Sequence, residues 1–541
     1  MKRFLILSAL LAMLCGCCNV EDIENNDNNT GSNANTNNNT STDDNNNNNT
    51  NQDNTDDNNT DSDNNNENNN NQENDNTSDI VVSDGCTYTE DMKTLLSANK
   101  NITSVTIPAG ITSIGKNAFE GCSNLTSIII PDSVTTIEDQ AFYQCCSLES
   151  VTIPDSVTSI GHGAFDWCSN LKSIVIPDSV TSIGAWAFNS CDDLKSSITI
   201  PDGITFIEEG TFNLCSSLES VTIPDSVTSI GIQAFLGCSS LKSVTIPDGI
   251  ISISHLAFTD CSSLESVTIP ESITFIGWGA FNGCSLEYNE YDNGLYLGNE
   301  DNPYLVLVRA KNTSITSCEI NSKTRIILEY AFEGCYSLEN ITIPEGITFI
   351  AEYAFRGCHK LEYNEYDNGL YLGNEDNPYL VLVRAKDTSI TSCEINSKTR
   401  IISYDAFYYC SSLTNITIPD GLISIGNWAF NECNSLESIT MPDSVITIGQ
   451  RAFLDCNSLT SITFSNSITS IEEGMFNGCG SLESVTIGDS VTFIGTSVFS
   501  DCENLTTVNY KGSQEQWEHI CITTGNDDLM NATINYNYTG K

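Results

Sequence analysis

The chain has 541 residues and carries 71 acidic against 21 basic side chains, which gives a formal net charge of −50. Such an excess of negative charge argues against binding of nucleic acid and against docking on anionic lipid, because both require clustered Lys and Arg. Beyond the N-terminus, no apolar run reaches the ~18 residues that a membrane-spanning helix needs.

The N-terminus has the pattern of an export signal. Lys2 and Arg3 precede the apolar run Phe4–Leu14, which is too short to span a bilayer. The run leads into the sequence LCGC, which resembles the lipobox of bacterial lipoproteins, where the signal is removed before a cysteine that then carries lipid. The resemblance implies a signal peptide over residues 1–16 and lipid attachment at Cys17, so that the membrane is contacted through lipid only. An ordinary secretory signal with incidental cysteines is the alternative.

Residues 17–80 are predicted to form a disordered tether. The segment consists mostly of Asn, Asp, Thr and Ser, and no Lys or Arg occurs between Arg3 and Lys93. So little apolar surface cannot offset the conformational entropy that ordering would cost. A tether behind a lipid anchor would hold the rest of the protein away from the membrane.

A phenylalanine sets a strict period through the rest of the chain. It recurs every 23 residues, with one step of 24 and two of about 51, and a cysteine follows each phenylalanine three positions later. A period of about 20–29 residues with leucine-like positions is typical of leucine-rich repeats. The fifteen phenylalanines are Phe119, Phe142, Phe165, Phe188, Phe212, Phe235, Phe258, Phe281, Phe332, Phe355, Phe407, Phe430, Phe453, Phe476 and Phe499.

One unit, Leu218–Cys238, indicates how each repeat folds. Val221 and Ile223 alternate with polar residues as in a strand, and Pro224 with the aspartate after it sets a turn. A second short strand follows, and Phe235 packs inward through a short helical turn. One coil cannot bury its apolar side alone, so copies must stack. We therefore predict a β-rich α/β solenoid over residues 81–509, with coils of strand, turn, second short strand and helical turn stacked into one curved body.

The repeated pattern L-x-x-V-T-I-P-D-x-V-T-x-I-G-x-x-A-F-x-x-C resembles the BspA-like class of bacterial leucine-rich-repeat surface proteins. The match runs from about Asn101 to Tyr510, and more than ten units carry it. The resemblance implies a cell-surface adhesin, located on the outside of the bacterial envelope, that binds host matrix proteins or other cell-surface proteins. A passive envelope or spacer lipoprotein without a specific ligand is the alternative. A eukaryotic surface protein is a third reading, since N-x-T triplets recur, but the lipobox argues against it.

Two insertions interrupt the repeat, near residues 286–313 and 361–388. They belong to the stretches Leu286–Ile327 and Leu361–Ile402, which are identical except for Asn312 against Asp387. Each reads as a β-hairpin, GLYLG and YLVLVRA around the turn NEDNP. Cys318 then aligns with the position of Val221, where the regular unit resumes. The hairpins are expected to project eight tyrosines as candidate protein-binding residues, or else to act as packing flaps over the coil edge. These residues are Tyr288, Tyr291, Tyr296, Tyr304, Tyr363, Tyr366, Tyr371 and Tyr379.

No pattern of catalytic or metal-binding residues stands out, so the chain is predicted to be neither an enzyme nor dependent on a cofactor or metal. The repeat cysteines form no C-x-x-C pair and are expected to be small buried residues, although stacked coils also place them within reach of disulfides. His162 and His255 occupy a variable position that should face solvent. Threonine and aspartate rows should line the surface, and a basic partner or cations could use the aspartates.

Residues 510–541 depart from the repeat and are predicted to cap the last coil, since an open end would expose the core and a strand edge. Ser513 and Gln516 have the spacing of a capping box, which predicts a short helix that contains Trp517. The stretch around Cys86–Lys100 is predicted to cap the other end.

Overall fold

The structure is a computed structural model of the chain, and it describes residues 80–195 and 197–540. The predicted signal peptide, the lipid-attachment residue Cys17 and the tether up to residue 79 lie outside the described residues. Val81–Lys541 form one compact unit. Within the described ranges, no helix is both long and apolar enough to cross a membrane.

The unit is a solenoid in which every coil contributes two short strands, each paired in parallel with the matching strand of a neighbouring coil. Ser150–Thr152, for example, pairs with Ser173–Val175 in a register that places Val151 beside Ile174. The first strands are Ser104–Thr106, Ser127–Ile129, Ser150–Thr152, Ser173–Val175, Ile198–Thr199, Val221–Thr222, Ser243–Thr245, Ser266–Thr268, Ser317–Glu319, Asn340–Thr342, Ser392–Glu394, Asn415–Thr417, Ser438–Thr440, Ser461–Thr463, Ser484–Ile487 and Thr507–Tyr510. The second strands are Ser113–Ile114, Thr136–Ile137, Ser159–Ile160, Ser182–Ile183, Phe206–Ile207, Ser229–Ile230, Ser252–Ile253, Phe275–Ile276, Ile326–Ile327, Phe349–Ile350, Ile401–Ile402, Ser424–Ile425, Thr447–Ile448, Ser470–Ile471, Phe493–Ile494 and Cys521–Ile522.

Hydrogen bonds stabilise both the turn within each coil and the contact between successive coils. In the turn between the two strands, the carbonyl of Pro154 accepts the N–H of Val157 at 3.0 Å. The hydroxyl of Ser156 donates to the carbonyl of Val134 in the preceding coil at 2.6 Å. Each of these bonds satisfies a backbone group that stacking would otherwise bury without a partner. The predicted solenoid of stacked 23-residue repeats is confirmed.

The segment that carries the phenylalanine is a series of hydrogen-bonded turns and not a helix. Gln140 and Gln144, on either side of Phe142, have φ angles of 53° and 59°. Two left-handed residues in one turn are incompatible with a right-handed helix. Successive phenylalanine rings stack face to face, with 5.1 Å between the centroids of Phe119 and Phe142.

Both ends of the solenoid are covered. Cys86–Thr89 pairs antiparallel with Thr94–Ala98, which extends the ladder of second strands beyond Ser113–Ile114, and Ile80–Ser83 is the outermost strand. At the other end, Thr533–Asn535 pairs in parallel with Thr507–Tyr510, which ends the ladder of first strands.

The C-terminal segment contains two short helices, Gln514–Glu518 and Asp527–Asn531. Ser513 and Gln516 form the predicted capping box at the start of the first helix. This helix buries Trp517 against Tyr510, with 5.1 Å between ring centroids. The predicted helix is therefore confirmed.

Candidate functional site

Each insertion builds three strands. In the first these are Asn289–Tyr291, Gly294–Leu297 and Val306–Ala310, and in the second Asn364–Tyr366, Gly369–Leu372 and Val381–Ala385. Antiparallel pairing joins the three strands of each insertion. The third strand also pairs in parallel with a second strand of the solenoid, which is Ile326–Ile327 for the first insertion and Ile401–Ile402 for the second. The two predicted hairpin strands are confirmed, and the additional outer strand was not predicted. We call residues 286–313 the first insert unit and residues 361–388 the second.

The loop NEDNP fastens each insert unit to the coils on both sides. The side-chain oxygen of Asn299 accepts the N–H of Asn302 at 2.8 Å, and its amide donates to the carbonyl of Ile269 at 2.9 Å. Asn302 donates to the carbonyl of Lys323 at 3.1 Å. Asn374 and Asn377 make the same bonds in the second unit. The two asparagines therefore hold the loop against the solenoid.

Tyr296 and Tyr371 are fully buried, so the prediction that they project is wrong. The ring of Tyr296 packs edge to face on Tyr304, with 5.6 Å between centroids, and its hydroxyl accepts the N–H of Asn321 at 3.4 Å. Tyr296 lies on the central strand of the insert and belongs to one hydrophobic cluster with Leu307 and Ile327. Burial raises the pKa of both hydroxyls.

The other six predicted tyrosines are half-buried and keep part of their surface exposed. The hydroxyl of Tyr291 donates to the carboxylate of Glu319 at 3.2 Å, and this bond is the main reason that the pKa of Tyr291 is raised. Arg309 lies over the ring of Tyr288, 5.5 Å from its centroid. The matching residues in the second unit are Tyr366 with Glu394, Tyr363 with Arg384, and Tyr379 in place of Tyr304.

The two arginines were not predicted as site residues. Arg309 and Arg384 recur at the same place of the repeated segment, which is the only signal in the sequence that could have identified them. Arginine and tyrosine are the residue types that most often anchor protein–protein interfaces. Each insert unit thus presents a half-exposed tyrosine–arginine pair on an otherwise acidic molecule.

The repeat cysteines are free thiols in the described chain, and most of them are buried. Cys145 donates its thiol hydrogen to the carbonyl of Phe119 at 3.2 Å, and the same bond recurs along the ladder, as from Cys238 to Phe212. Burial raises the pKa of these thiols, which disfavours the reactive thiolate. No cluster of His, Cys, Asp and Glu suited to a metal ion occurs among the described residues.

The two histidines of the repeat differ. His162 is exposed as predicted, whereas His255 is only partly exposed, so the prediction that it faces solvent is wrong. Its Nε2 lies 3.0 Å from the side-chain amide of Gln450, and burial lowers its pKa to about 4.

Comparison with known proteins identifies the repeat. The family model for the BspA-type leucine-rich repeat region matches residues 96–197, 195–299, 310–374 and 385–506. A leucine-rich repeat protein from Bacteroides ovatus is 27% identical, with 85% of this chain and 97% of that chain covered and a TM-score of 0.37. A leucine-rich cell surface protein from Faecalibacterium prausnitzii is also 27% identical, with coverage of 82% and 97% and a TM-score of 0.35. No curated protein gives a significant match.

Proposed function

The chain belongs to the BspA-type leucine-rich repeat family, and from this membership we propose that it is a bacterial cell-surface lipoprotein that binds a protein partner through its two insert units. The fold is one that commonly serves protein interaction. The partner class is an adhesion target, either a host matrix protein or a protein on another cell.

The proposed surface location is supported by the N-terminal sequence. A basic start, a short apolar run and LCGC have the order of a lipoprotein signal, with Cys17 as the lipidated residue. The Asn- and Asp-rich segment that follows would act as a spacer between the lipid and the solenoid.

The observation that carries the binding proposal is the repetition of the insert, whose two copies differ only at Asn312 against Asp387. The same three-stranded unit stands at two places in one solenoid, and each copy leaves part of Tyr291 or Tyr366 exposed and also carries a tyrosine–arginine pair. A partner that engages both units gains affinity from the high effective concentration of the second site after the first is bound. Tyrosine adds contact area at low entropy cost.

The experiment compares binding of the full-length protein to immobilised fibronectin, laminin and collagen, and to other bacterial cells. Tyr291→Ala and Tyr366→Ala are each expected to weaken binding, and the double variant is expected to weaken it more than either. Tyr336→Ala is the matched control, since Tyr336 is 64% exposed and lies outside both insert units. Circular dichroism confirms that each variant is folded.

Two outcomes would contradict the proposal. If the folded double variant binds as wild type does, the insert units are packing flaps. If the wild type captures none of these targets, the passive spacer becomes the better account.

A further inference from the structure

The ladder of stacked phenylalanines is interrupted at the second insert unit. Phe332 stacks on Phe355 with 5.7 Å between centroids, and Phe407 stacks on Phe430 at 5.2 Å. Among the described residues, no ring contact joins Phe355 to Phe407. Phe407 is nevertheless buried, whereas Phe355 is only partly buried. One side of Phe355 has therefore lost the ring that would cover it in a regular coil.

A cleft of about 380 Å³ occupies this interruption. Its walls come from three parts of the chain. The turn around Phe355 forms one wall, the second insert unit contributes Tyr363 and Arg384, and the following coil contributes Tyr404 and Asp405. The volume is in the range of sites that hold small organic ligands or a single large side chain, which is about 300–1,000 Å³.

Two guanidinium groups line the cleft. Arg356 lies over the ring of Tyr353 at 5.4 Å and is 3.5 Å from the carboxylate of Glu333. Arg384 lies over the ring of Tyr363 at 5.6 Å, and no carboxylate of the described chain is within 4.0 Å of it. Its planar fork of N–H groups suits a carboxylate.

The remaining wall favours a ligand with only one anionic end. The hydroxyl of Tyr404 donates to that of Tyr353 at 2.7 Å, which ties the wall to the turn around Phe355. The neighbouring Asp405 has a buried carboxyl oxygen without a hydrogen-bond partner, and burial raises its pKa to about 7. A second negative charge on this side would be repelled once Asp405 ionises.

We propose that this cleft binds an aromatic carboxylate, whose ring lies against Phe355 in the place of the missing stack member and whose carboxylate is held by Arg384. A free aromatic acid and the C-terminal aromatic residue of a peptide share this chemistry. The cleft shares Tyr363 and Arg384 with the second insert unit, and it differs from the proposed adhesion surface in its ligand, which lies against Phe355 between two coils.

The first insert unit supplies an internal control. There the carboxylate of Glu329 accepts the N–H of Gly279 at 2.7 Å, across the equivalent gap. Phe281, the counterpart of Phe355, is only 8% exposed. Asn282 takes the place of Arg356. Glu329 and Gly279 hold the positions that Tyr404 and Tyr353 hold at the second gap, so both gaps are bridged, but only the first bridge contains a carboxylate, which would repel an anionic ligand. Arg309 is thus the counterpart of Arg384 in an insert that differs at one residue, with an acidic side chain in the gap beside it.

The test is calorimetric titration of the full-length protein with 3-phenylpropionate and with a short peptide that ends in phenylalanine. The same peptide with an amidated C-terminus and cyclohexanepropionate are the chemical controls. We expect saturable binding of the aromatic acids, and at least about tenfold weaker binding of the amide, the usual consequence of losing a charge-assisted hydrogen bond. Cyclohexanepropionate should bind more weakly because it cannot stack on aromatic rings.

The variants Arg384→Gln and Arg309→Gln distinguish binding in this cleft from a nonspecific attraction of the ligand to any exposed arginine. Arg384→Gln should weaken the aromatic acids about tenfold or more, and Arg309→Gln should leave them unchanged. If only the peptide binds, the ligand class is the C-terminal aromatic residue of a peptide. If the free acid binds equally well, the aromatic ring and the carboxylate are sufficient for recognition. The proposal would be overturned if neither 3-phenylpropionate nor the peptide bound saturably. It would also be overturned if Arg384→Gln and Arg309→Gln had equal effects on binding in folded protein. Loss of matrix binding without loss of acid binding would affect only the proposed adhesion.

Discussion

His255 and Gln450 are in contact although 195 residues separate them, with 3.0 Å between Nε2 of the imidazole and the side-chain amide. They occupy the same place in their coils, two residues after the last isoleucine of a second strand. Both insert units lie between them. The imidazole Nδ1 accepts the N–H of Trp278 at 2.7 Å, so the ring proton of the neutral form is on Nε2. This proton can be donated only to the side-chain oxygen of Gln450, which requires the Gln450 amide to turn its oxygen towards the ring.

This contact requires the solenoid to bend where the insert units enter. Phe275 and Phe349, on either side of the first unit, have ring centroids 5.3 Å apart. The amide of Asn427 donates to the carboxylate of Glu352 at 2.6 Å across the second unit. Second strands therefore converge on the inner side of the bend, and coils that are distant in the sequence meet there.

The buried imidazole predicts a loss of stability in acid. Burial lowers the pKa of His255 to about 4 from its ordinary 6.5, so the unfolded chain binds the proton more readily. The stability contributed by the neutral ring is complete above about pH 6.5 and is lost as the pH falls towards 4, by up to about 3 kcal/mol. His255→Gln should flatten this dependence in denaturant unfolding between pH 7 and pH 4. His162→Gln, at the same position of an exposed coil, should behave as wild type, and equal slopes for both variants would contradict the assignment.

Glu329 predicts the opposite dependence. Burial is the main reason that its pKa is raised to about 7, so stability declines as the pH rises from its ordinary 4.5 through 7 and the carboxylate ionises away from water. Glu329→Gln keeps an oxygen to accept the N–H of Gly279 and removes the charge. The variant should be more stable than wild type at pH 8, by roughly 1–3 kcal/mol, and similar to it at pH 4. Glu345→Gln, an exposed glutamate of a turn, is the control. A variant that is less stable at pH 8 would show that Glu329 is favourable as a charged group.

Loss of one ring from the phenylalanine ladder should unfold the solenoid locally. Phe235 is fully buried between Phe212 and Phe258, with centroids 5.5 and 5.2 Å away. Phe235→Ala should cost about 3–5 kcal/mol, because the cavity cannot collapse between two stacked coils. Hydrogen exchange should rise around Val221–Cys261 before it rises elsewhere, since each coil depends chiefly on its neighbours. Phe206→Ala, at a site that is 40% exposed, should leave exchange nearly unchanged.

The anchoring prediction concerns Cys17, outside the described residues. Cys17→Ala should leave an unprocessed or soluble product, because lipidation requires the thiol. Mass analysis of the mature protein and partitioning into detergent measure the change. Unaltered partitioning of the variant would exclude Cys17 as the anchor.

The repeat could be predicted from the sequence because each coil meets nearly identical neighbours. The period gives the core position of Phe235, and the alignment of Cys318 with Val221 is confirmed, since Cys318 pairs in register with Ile341 of the next coil. The burial of Tyr296 was not predictable in the same way. Alternation within the hairpin does not indicate which of its faces lies on the solenoid, and that choice depends on the anchoring of Asn299 and Asn302.

Contacts across the bend were also beyond sequence reasoning. The pattern around His255 matches that around His162, and only the place of its coil beside the bend decides that His255 meets Gln450. The cleft beside Phe355 could not be predicted from the insert sequence either. The two insert sequences differ at one residue, so the difference between the gaps must come from flanking coil residues such as Arg356 and Glu329.

Deletion of both insert units should straighten the solenoid. Phe275–Ile276 and Val306–Ala310 are not paired, and neither are Phe349–Ile350 and Val381–Ala385, so the ladder of second strands is interrupted before each unit in the described chain. Removal of Glu287–Thr313 and Glu362–Thr388 would let Phe275–Ile276 pair directly with Ile326–Ile327, as the second strands of most regular coils do. The inner side would then no longer converge, and His255 would part from Gln450.

The measurement is small-angle X-ray scattering of wild type, of each single deletion and of the double deletion. We expect the maximum dimension to increase in the double deletion although the chain is shorter, with an intermediate value for each single deletion. Since His255 would become exposed, its pKa should return towards the ordinary value, and the acid-induced loss of stability should disappear together with the contact. A folded double deletion that is as compact as wild type would show that the bend arises in the regular coils, and the insert units would then be additions to a curvature that the repeat itself determines.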